Sequence, residues 1–276
     1  MTLLDVLRRA TGYLESHGSS SARLDAELLL AQALGVRRID LYLQFERPLG
    51  EEELQPYRDL IGRRGKGEPV AYLIGRKEFM KLDFEVSGAV LIPNPDSEVL
   101  VELAVSWARE RGGPVRVADV GTGSGCIAVS VAHYVPQAEV WATDDDPEAL
   151  EVARRNVRRH GLEERVRLCC GDLLSPVTAT IDLVCANLPY VAPEDEATLP
   201  ADVLAQPHHA LFAPDRGAGL VNRLLAQAPD RLAGGGAVLA EIGPGIEGRL
   251  QLDGYAGHRF HRDLAGLVRV AEAWVA

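Results

Sequence analysis

Cysteine is scarce in this chain of 276 residues, and the four present (Cys126, Cys169, Cys170 and Cys185) show no CxxC spacing and no His pair at zinc-finger distance. That argues against a disulfide framework or a structural zinc, and for small buried hydrophobes in a reducing compartment. No apolar run approaches the roughly 20 residues that a membrane-spanning helix needs. The opening MTLLDVLRRATGYLESHG has Asp5, Arg8 and Arg9 inside its apolar stretch, which excludes a signal-peptide core. A soluble, cytoplasmic protein without membrane contact is expected. Positive charge is also short, with 29 Lys and Arg against 40 Asp and Glu for a net −11. Residues 1–95 carry 13 basic and 14 acidic side chains, and residues 96–276 carry 16 and 26. A grip on a phosphate backbone needs clustered Lys and Arg, so direct nucleic-acid binding is not expected. What is present, 47% hydrophobic, 25% charged and 5% aromatic residues, is ordinary globular composition.

The periodicity changes along the chain. Leu3, Leu7, Ala10 and Leu14 recur at helical steps, and ARLDAELLLAQALG reads as a helix stopped by Gly35. Short helical segments follow near Asp40–Phe45 and from Gly50-Glu51-Glu52 to about residue 67. Residues 1–70 are therefore expected to form a small helical domain. Phe79, Leu82, Phe84 and Val86 fall on a two-residue rhythm, and with Val90-Leu91-Ile92 they suggest a β-hairpin connector over 71–95. After Pro93-Asn94-Pro95, a helix capped by Asp96 or Ser97 is predicted to about Arg111. From there strands (Val115–Val120, Val140–Thr143, Val166–Cys170, Ile181–Ala186 and Ala237–Glu241) alternate with helices (Ile127–Tyr134, Pro147–His160 and Leu220–Leu232). A pair of strands closes the chain around His258–Phe260 and Val268–Val275. This is the pattern of a parallel α/β sheet with helices on both faces, spanning 96–276.

The first strand runs into Gly121-Thr122-Gly123-Ser124-Gly125. In a doubly wound sheet ligands sit beyond the carboxyl ends of the strands, where glycines let them approach the backbone. The spacing is GxGxG rather than the dinucleotide GxGxxG. A nucleoside without a pyrophosphate, such as S-adenosylmethionine with its sulfonium, tolerates that pattern and an acidic surround. The second strand ends in Asp144, placed to accept ribose hydroxyls; Asp145 and Asp146 compete for that role, Asp146 being better placed as a helix cap. The third strand ends in Gly171-Asp172-Leu173, with Asp172 suited to an adenine amino group and Leu173 to its ring.

The fourth strand runs into Asn187-Leu188-Pro189-Tyr190. A planar amide nitrogen attacks a methyl sulfonium poorly because its lone pair is delocalised. Accepting both of its N–H bonds fixes it facing the methyl group. Asn187 offers a side-chain carbonyl, Leu188 a backbone carbonyl held extended by Pro189, and Tyr190 a surface for the flat substrate group. No metal or covalent nucleophile is demanded. His208-His209 are adjacent and splay apart, so no metal site is expected there. Arg154, Arg155, Arg158 and Arg159 read as a solvated helix face paired with Glu148, Glu151, Glu163 and Glu164.

These motifs, with EPVAYLIGRKEF, VLIPNPDSEVLVE, TDDDPEALEVARRN and PHHALFAPDRGAGL, resemble the HemK/PrmC family of peptide chain release factor N(5)-glutamine methyltransferases over nearly the whole chain. The resemblance implies a helical N-terminal domain that recognises the substrate and a Rossmann-like, seven-stranded methyltransferase domain. It implies S-adenosyl-L-methionine as donor, S-adenosyl-L-homocysteine as product and the glutamine of a release factor's Gly-Gly-Gln loop as target. Carried onto this chain, Gly121 to Gly125, Asp144, Leu173 and Asn187 hold the cofactor, and Asn187 to Tyr190 receive the glutamine. Three positions depart from the family pattern: Leu188 replaces the first proline of NPPY, Asn94 an Arg, and Gln206 a Glu. A divergent paralogue, a methyltransferase of adenine amines and an inactive cofactor-binding adaptor are the alternatives.

Overall fold

The computed structural model describes residues 1–263 and 265–276. The chain divides into two compact units, Met1–Arg76 with Pro200–Ala205, and Lys77–Leu199 with Gln206–Ala276.

The first unit is helical. Helix α1 (Leu3–Ser16) begins with a reciprocal cap: Thr2 Oγ1 accepts from the Asp5 N–H, and the Asp5 carboxylate accepts from the Thr2 N–H, each at 3.2 Å. Helix α2 (Ala22–Leu34) stops at Gly35, whose φ of 64° gives the left-handed turn the sequence suggested. Helix α3 is a single turn, Arg38–Leu41, shorter than the expected Asp40–Phe45 segment, because the Arg37–Asp40 pair starts it early. Helix α4 (Glu51–Arg64) places three acids in its first turn, where the dipole favours them. The short α5 (Val70–Ile74) lies where the sequence suggested the start of the connector. Leu3, Leu7, Leu14, Leu29, Leu30 and Leu41 are fully buried in one core. Beside it Asp25 is buried yet satisfied, accepting from Ser19 and Ser21 hydroxyls and from Arg64, all at 2.8 Å. Arg64 also holds Asp202 at 3.2 Å, which ties Pro200–Ala205 to this unit.

The second unit begins within a hairpin, β1 (Arg76–Phe79) and β2 (Leu82–Glu85), of which only Arg76 belongs to the first unit. Val90-Leu91-Ile92 adds no strand to it, contrary to expectation, and lines a crevice described below. Ser97, one of the two expected caps, is the N-cap residue of α6 (Glu98–Arg111), but its side chain makes no capping hydrogen bond; the side-chain cap is Asn94, which accepts from the Asp96 N–H and starts a 3₁₀ turn ahead of the helix. Then come β3 (Val115–Val120), α7 (Cys126–Tyr134), β4 (Ala138–Asp144), α8 (Pro147–Arg159), β5 (Val166–Cys170) and β6 (Ile181–Ala186). The helix Gly219–Gln227 precedes β7 (Leu232–Glu241), and β8 (Gly257–Arg262) and β9 (Val268–Trp274) close the chain. The seven-stranded sheet has the order β5-β4-β3-β6-β7-β9-β8, with β9 antiparallel to both of its neighbours.

Alternation along the buried strands feeds both faces. Val117, Val140 and Leu183 pack with Leu100, Val129 and Val157 from α6, α7 and α8. Ala118, Trp141 and Val184 pack on the opposite face with Val221, Leu224 and Leu173. The arginines of α8 do pair with acids, but mainly not those proposed from sequence. Arg154 meets Glu151, while Arg155 and Arg159 reach Glu85 and Asp83 of the hairpin. Not all cysteines are buried either. Cys185 is, but Cys170 is exposed and Cys169 partly so, because β5 is an edge strand.

Candidate active site

Strand register assembles the site. Val120 pairs with Thr143 of β4 on one side and Ala186 of β6 on the other. Asp144 pairs with Cys170, and Ala186 with Ala240. The residues just beyond these pairs, Gly171, Gly121, Asn187 and Glu241, therefore share one edge of the sheet with Asp144. The topology reverses there, since successive strands lie to one side of β3 up to β5 and to the other from β6. A crevice of about 190 Å³ runs along this edge, bordered by Gly121 to Ser124, Asp144, Asp172, Leu173, Asn187, Leu188 and Pro189. Val90 to Asn94, Ser97, His209 and Arg223 complete its wall. Tyr190 and Gly125, also expected at the site, adjoin this lining without being part of it.

The glycine turn is shaped by backbone needs. Gly121 has φ +71°, and a Cβ there would lie 2.8 Å from Leu188 Cδ2. The Asn-Leu-Pro-Tyr corner thus packs directly on the glycine turn, and the side chain of Leu188 is what touches it. Thr122 is buried, its hydroxyl donating to Asp119 Oδ2 at 2.6 Å; the Ala128 N–H donates to the same oxygen at 3.0 Å. Asp119 is fully buried and its Oδ1 has no hydrogen-bond partner among the described residues. Burial pushes its carboxyl up to about 7, against the lowering effect of those two donors.

Asp144 Oδ2 accepts from the Gly123 N–H at 2.8 Å and Oδ1 from the Asp146 N–H at 3.0 Å. The carboxylate is thereby aimed by two backbone amides, with lone pairs left for ribose hydroxyls. Asp146 itself caps α8 through the Glu148 N–H at 2.8 Å. Asp172 forms an ion pair with Arg223 at 2.6 Å, a partner the sequence reading missed because it lies on a helix 51 residues away. Leu173 is buried with φ +48°, and its carbonyl accepts from Thr143 Oγ1 at 2.9 Å. His209 pairs with Asp146 at 3.3 Å, whereas His208 lies against the Phe212 ring with centroids 4.3 Å apart. The Gln206 side chain accepts from the Ile92 N–H at 2.9 Å and holds the wall segment in place.

At the corner, Asn187 Nδ2 donates to Ser97 Oγ at 2.9 Å. The Leu188 carbonyl accepts no hydrogen bond from the described residues. Tyr190 is tightly held: a Cβ at Gly217, which has φ +87°, would fall 2.0 Å from the Tyr190 carbonyl oxygen, and one at Gly243 would fall 2.9 Å from its ring. Its hydroxyl lies 3.5 Å from Glu241 Oε1, and burial raises its pKa. Glu241 is the residue the sequence reading passed over. A buried carboxylate ending the apolar strand beside Asn187 was its available signal.

These residues fit a nucleoside that carries a sulfonium. The crevice offers an uncapped glycine turn, a backbone-aimed carboxylate and an apolar leucine, with acids rather than a cluster of cations around it. A Cβ on Gly123 would meet nothing within 4 Å, so open space lies over the turn.

Comparison with known proteins agrees with this geometry. Residues 5–75 match the model of the PrmC N-terminal domain and residues 97–214 that of the methyltransferase small domain. The chain is 37% identical over 281 residues to the release factor glutamine methyltransferase of Rhodopirellula baltica, covering 98% of this chain and 95% of that one. With the Moorella thermoacetica protein of the same description it is 42% identical over 247 residues, 88% of this chain and 86% of that one. Among solved structures, a methyltransferase from Pyrococcus furiosus superposes with a TM-score of 0.53 at 22% identity, over 72% of this chain and 91% of that one. That likeness concerns the fold.

Proposed function

We propose that this chain, which belongs to the family of release factor glutamine methyltransferases, transfers a methyl group from S-adenosylmethionine to the side-chain amide nitrogen of a release-factor glutamine, that of the Gly-Gly-Gln loop. When bound, the cofactor supplies a methyl group on positively charged sulfur, open to attack by a nitrogen lone pair. Gly121 to Ser124, Asp144, Asp172 and Leu173 hold it. Asn187 Oδ1 and the Leu188 carbonyl accept the two N–H bonds of the glutamine amide and turn its nitrogen toward the methyl group. Tyr190 flanks the flat carboxamide. An N-methylated, transiently protonated amide is a strong acid, so its extra proton leaves to solvent without a dedicated base.

The observation that carries this reading is the packing of Leu188 on Gly121, which sets the amide-accepting corner against the cofactor turn. Orientation dominates such catalysis. Asn187→Ala is accordingly expected to lower turnover about a hundredfold while changing cofactor affinity less than about threefold. Mass spectrometry of release factor after incubation with enzyme and donor measures the first, and equilibrium binding the second. An unchanged rate would remove the role given to Asn187. Duplex DNA assayed in parallel is expected to take no methyl group; net −11 supports that arm. The same reading puts the enzyme in the cytoplasm, where translation terminates.

A further inference from the structure

Arg223 is out of keeping with its surroundings. Among the described residues lining the crevice it is the one Lys or Arg, in a wall that also carries Asp144, Asp145 and Asp172. A cofactor with a sulfonium gains nothing from a cation beside its sulfur, so the place of this one along the crevice matters. Strand order fixes that place. The amide-accepting corner follows β6, the glycine turn follows β3, Asp144 ends β4 and Asp172 follows β5, and the strands lie in the order β5-β4-β3-β6. Arg223 pairs with Asp172 at 2.6 Å and so stands at the β5 end, three strands from Asn187. That end lies beyond the ribose carboxylate Asp144, where the base of a nucleoside falls.

The pair leaves hydrogen-bonding groups over. Arg223 Nη2 donates to Asp172 Oδ2, while Asp172 Oδ1 and the other guanidinium nitrogens meet no partner among the described residues. An acceptor and a donor thus stand side by side. Leu220, one helical turn before Arg223, lines the crevice as Leu173 does, and the two offer a flat ring apolar surfaces. Adenine carries the complement on its edge: the 6-amino group donates, and the ring nitrogens to either side of it, N1 and N7, accept. A 6-oxo purine reverses the group at that position and sets oxygen against carboxylate. We propose that Arg223 is a specificity-determining residue: held by Asp172, it donates to a ring nitrogen of the cofactor's adenine while Asp172 Oδ1 accepts from the 6-amino group. This inference rests on the cofactor placement given under the proposed function and adds to it the feature that selects the base.

A solvated ion pair with no further role is the competing account. The side chains of Arg223 and Asp172 are 52% and 51% exposed, and a pair so screened contributes little to stability. Its return lies in the bound state. A base seated against Leu173 and Leu220 excludes water from the groups at its edge, and hydrogen bonds to charged groups strengthen as water leaves. The turn that carries Asp172 is pinned for this: the Gly171 N–H donates to the Asp144 carbonyl and the Ser175 N–H to the Asp172 carbonyl, each at 2.9 Å. A carboxylate on a pinned turn sets the guanidinium in one place, which reading a base requires and mere attraction does not. Asp172 also compensates the charge of Arg223 at close range, so the sulfonium end of the cofactor meets little of it.

The test is equilibrium binding of three ligands to the full chain: S-adenosylhomocysteine, its 6-oxo (hypoxanthine) analogue and its analogue with hydrogen at position 6. Wild type is expected to bind the 6-hydrogen analogue about tenfold and the 6-oxo analogue about a hundredfold more weakly than S-adenosylhomocysteine, for one hydrogen bond lost and one reversed. Arg223→Met removes the donor and keeps the apolar stem. It should weaken S-adenosylhomocysteine and the 6-hydrogen analogue alike, by about tenfold, with the urea midpoint unchanged. In Asp172→Asn the one amide oxygen goes to Arg223 and the –NH₂ turns to the base. The preference for amino over oxo should then vanish while the 6-hydrogen analogue binds as before. An Arg223→Met chain with wild-type affinity for S-adenosylhomocysteine, or an Asp172→Asn chain with the wild-type preference, overturns the inference and leaves the cofactor site standing. A wild-type chain that binds none of the three ligands removes both.

Discussion

Asp119 shows how much a single position is asked to do. Its carboxyl is fully buried, supports the glycine turn through Thr122 and Ala128, and has its pKa pushed from 3.8 to about 7. A folded-state value above the unfolded one means that the fold binds the extra proton between about pH 4 and pH 7. The resulting stabilisation is complete below that window and is lost as pH rises through it. Asp119→Asn keeps a carbonyl acceptor for both donors but does not titrate. Urea denaturation across the window should show a slope for wild type, up to about 1.4 kcal/mol per pH unit, that this variant lacks; parallel slopes would exclude the assignment. Gly121 bears a different constraint, a left-handed φ with Leu188 pressed against it. Gly121→Ala is expected to weaken cofactor binding roughly tenfold, from backbone strain of 1–2 kcal/mol. Trimming Leu188 to Ala in the same chain should not restore it fully, because the strain remains; calorimetric titration of both variants decides.

Among the elements, α8 joins parts that are far apart in the chain. Its Asn156 is fully buried, donates to the Glu85 and Ser124 carbonyls at 2.9 and 2.8 Å and accepts from the Glu85 N–H at 2.7 Å. One side chain thus ties the hairpin, the helix and the glycine turn together. Asn156→Ala leaves three backbone groups unpaired and should cost about 3 kcal/mol, seen as a lower urea midpoint. Cofactor affinity should fall with it, since Ser124 belongs to the turn. A variant as stable as wild type would show that water replaces the amide without loss. The exposed arginines of the same helix offer a contrast: Arg155 and Arg159 pair with hairpin acids, but solvent screening makes such pairs worth little.

At the scale of the whole molecule, each unit has a core of its own, and the cofactor crevice is built from the second alone. Leu29→Ala, at a position with no exposure in the helical unit, should destabilise that unit by about 2–5 kcal/mol. Affinity for S-adenosylmethionine should be unchanged, and added cofactor should raise the denaturation midpoint of the second unit only. Proteolysis with and without cofactor separates the two transitions; a parallel fall in affinity would contradict the assignment. Net charge enters here too, because the acidic excess lies in residues 96–276 and suits a cofactor carrying a sulfonium better than a polyanion.

Much of this was readable from local order. Apolar runs of four to six residues bounded by Gly, Asp and Asn marked the parallel strands. The glycine turn, Asp144, Asp172 and the Asn-Leu-Pro-Tyr corner stood at strand ends, where a parallel sheet gathers its ligand-binding groups. Such features depend on period, turn chemistry and caps, and these act over a few residues. The pairing of Arg223 with Asp172, the grip of Asn156 on the hairpin, the hold of Gln206 on the wall segment at Ile92 and the place of Glu241 beside Tyr190 were decided only in three dimensions. Each joins residues 50 or more positions apart, and which strand lies beside which, with what register, is a property of the assembled sheet that no short stretch of chain encodes.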